Sequence, residues 1–204
     1  MKISIISGSH RQGSQTSKVA KVIQRTLEDH RLCDTSFLFD LAGNPLPLWD
    51  EGIWDGDPAW KARLDPISQE LGESDAFVVV SPEWHGQVPA GLKNFFLLWS
   101  KGELAHKPAL IVTVSSADGG AYPVAELRMS SYKNNRICYI PEQVIVRNVE
   151  KVLNEDPALN NADADGYFRD RIRYALTILK EYGIAFRQVR ASGATDRSVY
   201  KNGM

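Results

Sequence analysis

Cysteine is scarce in this chain. Of 204 residues only Cys33 and Cys138 carry thiols, and neither belongs to a CxxC pair or has a metal-ligand spacing around it. That excludes a disulfide-framed secreted scaffold and a cysteine-built metal centre, so no metal is expected. Both thiols are expected to be buried in a reducing compartment. An excess of charge is also lacking: 24 basic residues face 25 acidic ones, for a formal net charge of −1. Such a balance offers no field for nucleic acid and no polybasic anchor for a membrane surface. No hydrophobic run approaches the roughly 20 residues that span a bilayer. The apolar stretch of Met1 to Ser7 is cut off by Gly8-Ser9-His10-Arg11, too early for the apolar core of an export signal. A cytoplasmic protein is therefore expected. Three catalytic signatures are missing as well. No GxGxxG or GxxxxGK[ST] follows a strand, which disfavours the dinucleotide fold and the P-loop kinases. No GxSxG elbow is present, so the serines at strand ends do not make a serine hydrolase.

What is present has the composition of an ordinary soluble globule, with 43% hydrophobic and 24% charged residues. The length suits one α/β domain, expected over residues 1–190, followed by a polar tail over 191–204 that is either disordered or packed on a partner. Short apolar runs read as strands at Ile3 to Ser7, Phe37 to Phe39, Ala76 to Val80 and Ala109 to Val114. Ile137 to Ile140 and Val144 to Val146 form a last candidate, broken by Pro141. Helical spacing of apolar residues marks Ser17 to Asp29, Trp60 to Gly72, Pro89 to about Ser100, Val124 to Tyr132 and Tyr167 to Tyr182. Asp40 to Asp57 has neither period and reads as a long loop, a kind that is uncommon unless functional. The alternation of strand and helix predicts a five-stranded parallel sheet, doubly wound, with helices as crossovers on both faces.

In such a sheet ligands bind beyond the carboxyl ends of the strands. Three loops fall there. The first, Gly8-Ser9-His10-Arg11-Gln12-Gly13-Ser14-Gln15-Thr16, leads from a strand into a helix. Hydroxyls, a guanidinium, free backbone N–H groups and the positive end of a helix together suit a phosphate dianion. Ser14, Thr16 and Ser17 are equally good as plain helix caps. The second, Ser81 to Pro89, holds Trp84, whose flat face could stack a ring or simply fill the core, and Gly86, which lets backbone approach a ligand. His85 is either a solvated loop histidine or a titratable group at the site. The third, Ser115 to Tyr122, carries paired glycines that permit close approach to a planar ligand or make an ordinary turn.

These loops resemble the NADPH-dependent FMN reductase family, a flavodoxin-like group that includes quinone, azo-dye and chromate reductases. Gly8-Ser9-His10-Arg11 with Ser14 is similar to its opening GSxR…S loop. Ser81-Pro82-Glu83-Trp84-His85-Gly86, with Pro89, Gly91, Leu92, Lys93 and Asn94, resembles its SPEYN…PGxLKN signature. Ser116 to Gly120 with Leu127-Arg128 resembles its later glycine-rich loop. The resemblance spans about residues 1 to 140 and implies a flavodoxin-like sandwich with strand order 2-1-3-4-5. It also implies FMN held without a covalent link and NADPH or NADH as co-substrate. By position, Ser9, Arg11, Ser14, Gln15 and Thr16 would lie at the phosphate end. Pro82, Glu83, Trp84, His85 and Gly86 would line the isoalloxazine and ribityl side, and Ser116 and Gly119 would border the ring. Trp84-His85 stands where the family has Tyr-Asn, and Gln15 where it often has an aromatic.

The implied activity is ping-pong transfer of a hydride from NAD(P)H to FMN, then of electrons to a quinone, flavin, azo compound or metal oxyanion. His85 is the candidate proton donor. A flavin-binding electron carrier or redox-responsive protein with little turnover is the alternative. Carriers of this fold are usually strongly acidic, and this chain is near neutral. A flavin-free enzyme acting on a nucleotide or phosphosugar is a further one. The family implies a homodimer or homotetramer. Trp49, Trp54 and Trp99 are aromatics expected at the seam, unless they only cover one end of the sheet. Arg11, Lys93 and Arg128 are the basic groups available for a ribose 2′-phosphate.

Overall fold

The chain is described by a computed structural model over residues 1–203. Strands β1 (Lys2–Ser7), β2 (Thr35–Asp40), β3 (Ala76–Pro82), β4 (Pro108–Val114) and β5 (Cys138–Val146) form one sheet, in the order β2-β1-β3-β4-β5. Every neighbouring pair is parallel. All seven residues of β3 and all seven of β4 are buried, because helices cover both faces. The helices are α1 (Gln15–Asp29), α2 (Gly52–Asp55), α3 (Pro58–Glu73), α4 (Ala90–Leu98), α5 (Ala121–Ser130) and α6 (Ala162–Ala191).

The period of two in the strands divides the core. Ile3, Ile5, Val78, Val80, Leu110 and Val112 face α1 and α6. Ile6, Phe77, Val79, Ala109 and Ile111 face α3, α4 and α5. Each such aliphatic side chain contributes about 1.5–3 kcal/mol on leaving water, which ties all three layers together. The β1–α1, β3–α4 and β4–α5 loops consequently emerge at the carboxyl edge of the three central strands.

The structure departs from the sequence reading in several places. β5 is the expected last strand, but Pro141 does not end it: its pairing with β4 slips between Ala109 and Ile111, so that Tyr139 and Gln143 oppose them. The slip lets the segment around Pro141 leave the ladder, where a residue without an N–H is tolerated. The expected loop after β2 contains the single turn of α2. α6 runs 30 residues and extends well past Tyr182. Its last turns bury little, and their arginines hold the helix down instead. Arg187 donates to Asp75 at 2.6 and 2.7 Å, and Arg190 donates to the His106 carbonyl at 3.1 Å. Apolar spacing could not reveal such an anchor.

Trp99, expected near an interface, is fully buried, and its indole N–H donates to Ser68 Oγ at 2.9 Å. It closes α4 by turning inward against Phe39 and Phe95. Cys33 and Cys138 are free thiols as expected but only half-buried, and burial still pushes both above the usual thiol range. The tail after α6 lies on its own chain: Arg136 donates to the Tyr200 and Lys201 carbonyls, and Arg197 to that of Lys101. No helix among the described residues is long and apolar enough to cross a membrane. No cluster of metal-ligating side chains occurs among them either.

Candidate functional site

The first loop carries buried polar groups. Ser9 is 1% exposed, Thr16 2% and Ser14 7%. Ser14 caps α1 by accepting the Ser17 N–H at 3.0 Å. Ser17 in turn donates to the Asp40 carboxylate at 2.7 Å, so its proton is committed to β2. The Ser14 hydroxyl lies 3.0 Å from Ser17 Oγ and can donate there or to a ligand. No acidic residue stands in the first turn of α1 itself, and the Asp40 carboxylate reaches that turn only through Ser17. Arg11 is exposed, and among the described residues its guanidinium meets no carboxylate. Gln15 Oε1 and His10 Nδ1 are both closed off from solvent without a hydrogen-bond partner.

The second loop begins where β3 ends at buried Pro82. Trp84 and Gln87 exchange both backbone hydrogen bonds, at 3.1 and 2.9 Å, around a turn whose central residues have positive φ: His85 at 51° and Gly86 at 72°. That is a type I′ turn, and histidine, like asparagine, tolerates the left-handed conformation better than most residues. The exposed His85 ring at its tip therefore has a backbone reason for its place. Trp84, half-buried, meets the ring of His10 edge-on, with centroids 4.7 Å apart and planes at 89°. The first and second loops are thus in contact.

Glu83 joins the second loop to the third. Its backbone N–H donates to the Val114 carbonyl at 3.0 Å. Its carboxylate accepts the Gly120 N–H at 2.6 Å, capping α5 where glycine offers no side chain. The Gly120 carbonyl accepts from Thr113 Oγ1 at 2.7 Å, and the Gly119 carbonyl from Arg147 Nε at 3.1 Å. The paired glycines answer to this clamp rather than only to a ligand. A Cβ on Gly119 would lie 2.7 Å from Glu83 Oε1, and one on Gly120, at φ 101°, would lie 2.5 Å from Ile145 Cγ2. Ser115 is half-buried and Ser116 exposed, on the rim of the same loop.

Beside these loops lies a groove of about 580 Å³ whose lining includes Trp49, Trp54, Phe96, Leu97 and the Lys93–Glu126 pair. Asn94 was noticed in the sequence only as part of a signature. It is 5% exposed and fastens the long loop to α4, accepting from the Trp49 N–H and donating to the Pro47 carbonyl, each at 2.8 Å. Partial burial pushes Glu126 up, but Lys93 at 2.6 Å and the Val88 N–H at 2.7 Å hold it below the usual carboxylate range overall. Arg128 is occupied by the carbonyls of Ile140 and Pro141 and by Gln143. Of the three basic groups considered for a ribose phosphate, Arg11 alone is uncommitted among the described residues.

Known proteins share the sequence pattern and the fold of this chain. The family model described as NADPH-dependent FMN reductase matches residues 1–151. An NADPH azoreductase of Bacillus sp. strain OY1-2 is 27% identical over 146 residues, 72% of this chain and 76% of that one. A 2-hydroxy-1,4-benzoquinone reductase of Burkholderia sp. is 24% identical over 196 residues, 93% of this chain and 98% of its own. Among solved structures, a flavoenzyme NAD(P)H:(acceptor) oxidoreductase from Paracoccus denitrificans shares the fold, with a TM-score of 0.71 at 18% identity. That likeness covers 91% of this chain and 98% of the other. The first loop suits the phosphate of FMN: it combines buried hydroxyls, a free guanidinium and a helix N-terminus whose first turn holds no acidic residue of its own.

Proposed function

The chain belongs to the NADPH-dependent FMN reductase family, and from that premise we propose that its three carboxyl-edge loops hold FMN without a covalent bond and serve NAD(P)H-driven reduction of a small oxidised acceptor. Quinones and azo compounds are the acceptor classes its relatives' names suggest. The linkage of the loops supports this reading most directly: His10 touches Trp84, and Glu83 bonds to Gly120.

Ser9, Arg11, Ser14 and Thr16 bind the phosphate, with Gln15 at the edge of that pocket. Pro82 to Gly86 line the ring and ribityl side, with Trp84 as the stacking face. Ser116 and Gly119 border the ring from the third loop. When bound, FMN supplies the hydride and electron chemistry that no side chain here offers. The chain's part is placement and shielding. Glu83 fixes the glycine loop in place, so the loop does not have to reorganise when a ligand docks beside it. His85, exposed on its turn, is placed to hand a proton to an incoming acceptor. The nicotinamide and the acceptor use the same space in turn.

We place the protein in the cytoplasm as a homodimer, or as a tetramer built from one. Trp54, 74% exposed, and Leu97, 59% exposed, line the groove and leave apolar surface there, and Leu48 and Met129 are exposed next in sequence to lining residues. The reading is tested by purifying the protein, recording its visible spectrum, and titrating it with NADPH and with NADH under nitrogen before adding a quinone or an azo dye. Yellow protein bleached by NADPH and restored by the acceptor is the expected result. Colourless protein that takes up no FMN overturns it, and bleaching without turnover points to an electron carrier.

A further inference from the structure

We propose that His10 is a further flavin contact, donating through Nε2–H to the ribityl chain between the phosphate loop and the Trp84 loop. The proposal rests on the FMN reading above and concerns one residue of this chain.

The placement of the ring carries it. His10 belongs to the phosphate loop, whose backbone is fixed by a bond from the Gly43 N–H to the His10 carbonyl at 3.2 Å. Its ring leaves that loop and reaches the second one, meeting Trp84 edge-on at 4.7 Å. On its other side it rests on the first turn of α4: a Cβ on Gly91 would lie 3.1 Å from His10 Nδ1, so a larger residue there would crowd the ring. Nδ1 is enclosed there without an acceptor. A ring nitrogen facing the positive end of a helix, with nothing to receive a proton, is the one without hydrogen. The proton therefore sits on Nε2, the ring nitrogen not enclosed by protein.

The part of FMN that spans from a phosphate at Arg11 to a ring at Trp84 is the ribityl chain. Its hydroxyl oxygens accept hydrogen bonds, so an imidazole N–H donor at the seam of the two loops meets the right chemistry.

A ligand series separates this role from the others His10 could have. FMN, riboflavin, which lacks the phosphate, and lumiflavin, which lacks the ribityl chain as well, are titrated by fluorescence quenching into the wild type, His10→Phe and His10→Gln. Phenylalanine keeps the edge contact with Trp84 and removes the N–H; glutamine returns an N–H donor. The expected result is about tenfold weaker binding of FMN and of riboflavin to His10→Phe, in the same ratio, as one lost hydrogen bond predicts. Lumiflavin binding stays unchanged, and His10→Gln recovers much of the loss. A loss confined to FMN would place His10 on the phosphate and overturn the proposal. Equal loss for all three flavins would mean that it acts through Trp84 or through folding, and no loss would mean no contact. If the wild type binds none of the three, the cofactor reading itself fails, a result distinct from any of these.

Discussion

Glu83 and Gly120 stand 37 residues apart in sequence, yet the carboxylate of one accepts the N–H of the other at 2.6 Å. This bond caps α5 and fixes the glycine loop against the Trp84 loop. Glu83→Ala leaves the buried Gly120 N–H without a partner, a loss of about 1–3 kcal/mol. A fall in Tm of roughly 2–10 °C is expected for a chain of this size. FMN affinity falls with it, because the third loop loses its anchor. Glu83→Gln keeps an acceptor oxygen and should lose much less of both. Thermal unfolding and flavin titration of the two variants check this, and equal behaviour of Ala and Gln would count against the clamp.

Arg11 is exposed and free of any carboxylate among the described residues, so it costs the apo protein nothing to lose it. A charge-assisted bond to a phosphate contributes about 1.5–3 kcal/mol. Arg11→Gln should therefore bind FMN roughly 10- to 100-fold more weakly while binding riboflavin as before, with Tm unchanged in the absence of flavin. Riboflavin affinity falling in parallel with FMN affinity would remove Arg11 from the phosphate.

The three carboxyl-edge loops were legible because their chemistry is local. A strand of unbroken apolar residues such as Ala76 to Val80 announces burial on both faces, and the hydroxyl-rich turn after β1 announces a helix cap. What escaped notice depends on contacts between distant segments. Nothing near Glu83 in sequence shows that its carboxylate is claimed by Gly120, and nothing near Asn94 shows that it holds the loop at Trp49. Trp99 looked like an exposed aromatic because its partner, Ser68, lies 31 residues away. The last turns of α6 lack an apolar stripe, since salt bridges to Asp75 hold them.

Asp75 provides a pH-dependent contribution to stability. Hydrogen bonds from Arg187 hold its carboxyl below the usual range, against a partial burial that pushes it up. The Lys2 N–H and Arg190 add to the lowering. A carboxyl depressed in the folded state contributes stability that is present above its unfolded pKa, near 3.9, and is lost as pH falls through the folded value. Asp75→Asn should therefore be less stable than wild type at pH 7, and the gap should narrow steadily below about pH 4. Urea unfolding of both proteins at several pH values measures the gap directly. A difference that stays constant down to pH 3 would show that the carboxylate charge contributes nothing.

Leu97 bears on the question of assembly. It is the 59% exposed residue of α4 that borders the groove with Trp54, on a surface where the same helix buries Phe95 and Phe96 inward. A leucine left in water on an otherwise ordered helix has no packing reason within its own chain, whereas the seam of a homodimer supplies one. Leu97→Glu places a charge in that seam, where desolvation without a partner weakens association strongly, yet on a lone chain it is a surface change within about 0.5 kcal/mol. Light scattering should give a dimer or tetramer for the wild type and a monomer for the variant, with apo Tm lowered only by what association had contributed. A variant of unchanged mass at micromolar concentration, or a wild type that is already monomeric, would move the interface elsewhere or abolish it.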